Sequence, residues 1–143
     1  MNLALVQPWC SIGSDGSAYA TEGPLRRGNP HPRSFGTFPR VLGVYVRQRG
    51  LLRLEDAVRK MTSAATRRLG IRERGILQEG FFADIAVFNP DTVIDHSTFE
   101  APNQLSTGVE YVFVNGVAVV SGGKVTGAMP GVALRGPGYR PQP

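Results

Sequence analysis

The segment Tyr111-Val-Phe-Val-Asn-Gly-Val-Ala-Val-Val120 reads as a β-hairpin. Two short aromatic and β-branched runs flank Asn115-Gly116, and this dipeptide supplies the two positive φ angles that a type I′ turn demands. Outward from it, Gly122-Gly123 turns the chain again into Lys124-Val125-Thr126. Upstream, Asp84-Ile-Ala-Val-Phe88 reads as a further strand, halted by Asn89-Pro90. A small β unit is therefore expected beyond Gly75.

Before Gly75 the period turns helical. Val41, Leu42, Tyr45 and Val46 share one face, and after Gly50 come Leu54, Ala57, Val58, Met61, Ala65 and Leu69, an apolar stripe at spacings of three and four. Thr62-Ser63 offers an N-cap inside that stripe, so two helices are expected to meet there, with Gly70 as the stop. The stretch Gly16–Pro39 is rich in Gly, Pro, Ser and Arg and reads as a loop, long enough to be functional or mobile. Leu3 to Ser14 read as the end of a helix, a break at Pro8 and a short strand over Trp9–Gly13. No internal repeat is visible. The order is strand, loop, helices, then strands.

A chain of 143 residues is the size of one ordinary domain, and 41% hydrophobic content permits a core. No run reaches the ~18 apolar residues of a membrane span, and Met1–Val6 is too short and uncharged for a signal peptide. The single Cys10 excludes an internal disulfide framework and any Cys-cluster zinc site, so a reducing cytoplasm is the expected compartment. The net charge of +5 is unevenly placed. Between Arg26 and Arg74, twelve arginines and Lys60 face only Glu55, Asp56 and Glu73, a local charge of +10. These cations are interleaved with Leu, Val and Ala and lack the aromatic-plus-glycine patterns of RNA modules, so a solvated helical face is expected rather than a nucleic-acid site.

Ser14-Asp15-Gly16 is the sharpest chemical feature. An acid after a short apolar strand sits at the mouth of a sheet or barrel, where catalytic groups of (β/α)₈ barrels lie; on this tripeptide alone the favoured reading is an Asx turn, in which the Asp caps its own backbone. In His31-Pro32-Arg33, arginine suits a two-pronged grip on a carboxylate, and histidine suits a metal or a proton, although either can simply be exposed in a Pro-rich loop. Cys10 reads as a core thiol within an apolar strand, and His96, beside Asp95 in a polar turn, as structural.

Taken together, Gly13-Ser-Asp-Gly16, His31-Pro-Arg33, Gly36-Thr-Phe-Pro-Arg-Val-Leu-Gly43 and Tyr45-Val-Arg47 resemble consecutive segments of the N-acyl-D-amino-acid deacylase (D-aminoacylase) family of amidohydrolases. The likeness continues through Leu54-Glu-Asp-Ala-Val-Arg-Lys-Met-Thr62, Arg68-Leu-Gly70, Arg74-Gly75, Glu79-Gly80, Ala83-Asp84, Val114-Asn-Gly116 and Pro130-Gly131. The helix-to-strand pieces are general to amidohydrolases, whereas His-Pro-Arg followed by Gly-Thr-Phe-Pro-Arg is narrower and points to the D-aminoacylase branch.

The resemblance implies an α/β fold, namely the C-terminal part of an amidohydrolase. Residues 1–74 would hold the last strand and helices of a TIM-like barrel, 75–135 part of a small β-sandwich domain, and 136–143 a disordered tail. Met1 would fall within the helix before the eighth strand. The implied enzyme is zinc-dependent and hydrolyses N-acyl-D-amino acids to a carboxylate and a D-amino acid. Asp15 would be catalytic, accepting the proton of the metal-bound water and passing it to the leaving amine; His31 and Arg33 would bind substrate.

The family's metal ligands lie on earlier barrel strands, and nothing here replaces them, so no metal ligand is expected in this chain and the chain alone is expected to be inactive. Uncovered apolar surface and open sheet edges lead to the expectation that the chain self-associates or stays partly molten. The alternative reading is a non-catalytic remnant or interaction module of amidohydrolase ancestry.

Overall fold

The computed structural model describes residues 2–136 and 138–140. Four α-helices precede an antiparallel sheet: α1 Asn2–Leu5, α2 Arg33–Arg40, α3 Leu54–Met61, α4 Ser63–Leu69, then β1 Ile85–Phe88, β2 Val109–Val114, β3 Val117–Ser121 and β4 Lys124–Val125. A π-helix, Val41–Gln48, continues α2 directly. Met1 and part of the expected disordered tail lie outside the described residues.

The β unit forms as its turns dictate. The sheet runs β1-β2-β3-β4, each neighbour antiparallel. Asn115 and Gly116 take φ of 49° and 81°, as a type I′ turn requires. Asp84, just before β1, secures that turn: its carboxylate accepts the Asn115 N–H at 2.9 Å and pairs with the buried Arg74, whose Nη2 also donates to Asn115 Oδ1 at 2.6 Å. Arg74 also stacks over Phe82, 4.0 Å from its ring centre.

Burial pushes the Asp84 carboxyl up, yet the Asn115 N–H and the Arg74 guanidinium outweigh it and hold the group below its ordinary value. With the folded-state pKa depressed, the stabilisation is complete above the unfolded carboxylate range of about 4 and fades as pH falls through the lowered folded value. Asp84→Asn is accordingly expected to cost about 1–3 kcal/mol at neutral pH, because it leaves Arg74 without its counter-charge. Urea denaturation should show that penalty shrinking below pH ~4; a penalty that does not change with pH would contradict it.

The helices pair where the stripe places them. Val41, Leu42 and Tyr45 are buried, and Val41, Tyr45, Leu52 and Ala57 form the core with Leu5, Ile12, Val46, Leu51 and Met61 packed around it. α3 and α4 meet at Thr62, but its hydroxyl does not cap α4; it donates back to the Val58 carbonyl at 2.7 Å. Gly70 ends α4 in the left-handed conformation, φ 67°. The stripe is only partly uncovered: Leu54, Val58 and Met61 are half-buried, while Leu69 is 63% exposed.

Three expectations change. Residues 33–39, read as loop, are the helix α2 and carry Pro39 within it. The helix starts because the His31 Nδ1 accepts the Arg33 N–H at 3.1 Å, while the Ser34 N–H bonds to His31 O and those of Phe35 and Gly36 to Pro32 O. Trp9–Gly13 is not a strand: Trp9 lies in a turn closed by the Cys10 N–H on the Gln7 carbonyl, and residues 10–13 take no regular structure. Among the described residues no neighbouring strand lies beside it, and the Ile12 N–H bonds instead to the carbonyl of Lys60. Cys10 is half-buried rather than a core thiol, beside a Trp9 that is 78% exposed.

Candidate active site

Helices and sheet are locked at the segment between β1 and β2. Gly43 presses on the backbone of Val93–Ile94, and Arg47 Nη1 donates to the carbonyls of Pro90 and Val93, both at 2.8 Å. Seven residues earlier, Gly36 lies against the Asp95 side chain, which is 4% exposed and accepts from Arg40 Nε at 3.0 Å. His96 Nε2 bonds to Thr107 Oγ1 at 2.9 Å, beside the bridge between Ile94 and Thr107.

This junction forms one wall of a cleft of about 780 Å³, into which Asp15, His31, Arg33, Arg40, Asp95, Phe99 and Glu100 all converge. The structure thus brings the three sequence-derived candidates to one place. Asp15 stands at φ 48°, in the left-handed region that Asp and Asn tolerate best among non-glycine residues. It does not form an Asx turn; the Ser14 hydroxyl takes the Gly16 N–H, at 3.4 Å. The Asp15 carboxylate faces Arg33 instead, with Arg33 Nη2 at 2.7 Å from Oδ2 and Nε donating to the Asp15 carbonyl at 3.1 Å. One guanidinium therefore fixes both backbone and side chain of Asp15 while leaving the carboxylate 82% exposed. The ion pair is open to water and weak in net energy; its effect is orientation.

His31 is held twice. Its Nδ1 accepts the Arg33 N–H, so in the neutral ring the proton sits on Nε2. Phe99 meets the ring edge-on at 4.9 Å between centroids. Next to Phe99, Glu100 is kept below its ordinary pKa by its own backbone N–H and by the Thr98 hydroxyl, which leaves it an anion at the rim of the cleft.

Arg40, Asp95, Phe99 and Glu100 were not singled out in the sequence. Asp95 had a readable signal: it closes the apolar pair Val93-Ile94 as Asp15 closes its own segment. Phe99 and Glu100 had none, since their place depends on a loop folding back over residues 31–33.

A second cavity of similar size, about 790 Å³, lies by Arg72, Arg74, Phe82 and Arg135, and its lining holds neither carboxylate nor histidine. Among the described residues no three His, Cys, Asp or Glu side chains gather in a way that could hold a metal ion, and no helix is long and apolar enough to cross a membrane.

Residues 12–120 match the amidohydrolase family. Among characterised proteins, the chain is 47% identical over 123 residues to a D-aminoacylase of Alcaligenes xylosoxydans xylosoxydans, across 86% of this chain and 24% of that one. It is 41% identical over 134 residues to the same organism's N-acyl-D-aspartate deacylase, across 94% and 26%. Among solved structures, a D-aminoacylase studied for its binuclear metal centre superposes with a TM-score of 0.79 at 44% identity, over 89% of this chain and 25% of the other. The N-acyl-D-glutamate deacylase of Bordetella bronchiseptica, solved with zinc and a phosphonate mimic of the tetrahedral intermediate, superposes at 0.71 and 46% identity, over 79% and 22%. The chain spans about a quarter of the length of these relatives. With the shared segments running through both the cleft and the sheet, the chain belongs to the amidohydrolase family, in its N-acyl-D-amino-acid deacylase branch.

Proposed function

We propose that this chain supplies the proton-transfer residue and one wall of the substrate cleft in a zinc-dependent amidohydrolase that cleaves N-acyl-D-amino acids to a carboxylate and a D-amino acid. It would correspond to the last strand and terminal helices of a TIM-like barrel with part of a small β domain. The observation that carries this reading is Asp15, exposed in a roomy cleft and aimed by Arg33 through two separate contacts.

Amide hydrolysis needs a base that takes a proton from water as it attacks the carbonyl and returns it to the departing nitrogen. A carboxylate exposed to the cleft and held in one orientation can do both. Arg33 Nη1 has no partner among the described residues and is left to meet the carboxylate of an amino-acid product or substrate, a geometry suited to guanidinium. His31, whose Nδ1 accepts the Arg33 N–H, lines the same cleft through its ring. The described residues contain no ligand set for zinc, so these steps are assigned only to the side chains present.

The test is a chimera in which residues 2–136 replace the matching quarter of the Alcaligenes D-aminoacylase. Release of D-amino acid from an N-acetyl-D-amino acid is the expected result. A folded, zinc-loaded chimera with no turnover, beside an active parent, would favour the non-catalytic reading. The 143-residue chain by itself is expected to release no D-amino acid and to retain no stoichiometric zinc after dialysis, and one equivalent of tightly held zinc would contradict this.

A further inference from the structure

We infer that Lys60 is a positioning residue for Asp15, acting through segment 7–12, a turn over residues 7–10 that runs on to Ile12; the inference rests on the reading of Asp15 as the proton-transfer group. Lys60 sits on the inward stripe of α3, three residues after Ala57, and both side chains are fully buried. An apolar residue would fill such a place at less cost, since a buried ammonium is tolerated when it is both hydrogen-bonded and paired with a counter-charge. Lysine has three hydrogens to donate; its Nζ donates to the carbonyls of Gln7 and Cys10, the latter at 3.2 Å, and Asp56 Oδ2 stands as its counter-charge at 3.7 Å.

The neighbouring groups act on the same segment. The Lys60 carbonyl accepts the Ile12 N–H at 3.1 Å. Arg59 Nη2 donates to the Pro8 carbonyl at 2.9 Å while its Nε holds Asp56 Oδ1, also at 2.9 Å. Residues 7, 8, 10 and 12 thus have backbone groups tied to two successive residues of α3, in a segment that no described strand pairs with. Asp15 follows Ile12 by three residues, and Ile12 itself packs on the core. The end of α3 takes the place of a sheet neighbour. It sets where residues 7–12 lie, and hence where the carboxylate enters the cleft.

The 143-residue chain, labelled with ¹³C at the aspartate carboxyl, gives a direct readout. Lys60→Met keeps the volume and removes the donors. It is expected to move the Asp15 carboxyl resonance toward that seen in Arg33→Gln, where the Asp15–Arg33 contact is absent, and to raise the rate of Cys10 thiol labelling at least tenfold. Urea midpoints measured in parallel separate this from simple loss of stability. Arg59→Met, at a half-exposed site, releases Pro8 within the segment together with Asp56 on its own helix, and should move the same resonance less and in the same direction; should Lys60→Met not fold, this variant decides.

A folded Lys60→Met, or in its place Arg59→Met, with an unmoved Asp15 resonance would overturn the inference and leave Lys60 as a packing residue. Because position rather than turnover is read, this outcome is distinct from failure of the catalytic role of Asp15. That role fails if Asp15→Asn leaves turnover of the chimera intact.

Discussion

Asp15→Asn in the D-aminoacylase chimera is expected to keep its zinc and lose at least ~10²-fold in kcat, since a general acid–base group typically contributes ~10²–10⁴-fold. The substitution is well suited to isolating chemistry from structure. Asparagine tolerates the left-handed backbone that Asp15 adopts at φ 48°, so the turn is retained. Its amide oxygen can still accept from Arg33 Nη2, which lies 2.7 Å from the carboxylate. What it cannot do is take a proton near neutrality. Arg33→Lys should behave differently: a lysine cannot reach the Asp15 carbonyl and carboxylate together as the guanidinium does. The expected result is a raised KM with a smaller change in kcat. Steady-state kinetics with metal analysis decides both, and an Asp15→Asn enzyme with bound zinc and near-parental kcat would remove the proton-transfer assignment.

The largest expected loss of stability is at Gly108. Its φ is 81°, and an added Cβ would stand 2.5 Å from both the nitrogen and the Cα of Val93, a residue with no exposed surface. The cost combines left-handed strain of about 1–2 kcal/mol with overpacking of about 1–3 kcal/mol. Gly108→Ala should therefore lose about 2–5 kcal/mol in urea denaturation. Relief by movement is blocked from the other side, because a Cβ at Gly43 would lie 2.6 Å from the Val93 carbonyl. The Val93 backbone is pinched between the π-helix and the residue leading into β2. Gly43→Ala should cost about 1–3 kcal/mol, and the double variant should depart from additivity because both substitutions push on one backbone unit. Gly131→Ala, where a Cβ meets nothing within 4 Å, is the control. A Gly108→Ala loss no larger than that of the control would show that residues 92–94 shift freely.

Local chemistry made much of this molecule readable. Asn115-Gly116 could close only a tight hairpin, and it does. Gly70 stops a helix because it alone enters the left-handed region without strain, and the spacing of Val41, Leu42, Tyr45, Ala57 and Met61 marks the face that meets the core. Asp15, His31 and Arg33 were legible through motif and resemblance. The helix over 33–40 was not, because Gly36 and Pro39 are poor helix formers by propensity. Gly36 is there for the close approach of Asp95, which no count of local preferences contains.

By itself, then, the sequence determined the periodic elements, the turns, the family and the residue types of the site, all of which depend on neighbours within a few positions along the chain. Tertiary structure alone decided which groups meet. It set Arg33 on Asp15 across 18 residues, Arg40 on Asp95 across 55, and Lys60 on Gln7 across 53. It also kept Trp9–Gly13 from being a strand, because a strand is defined by its partner. The physical reason is common to all four. A hydrogen bond or ion pair between distant residues forms only where backbone packing has already brought donor and acceptor within about 3 Å, and that distance is a property of the folded chain.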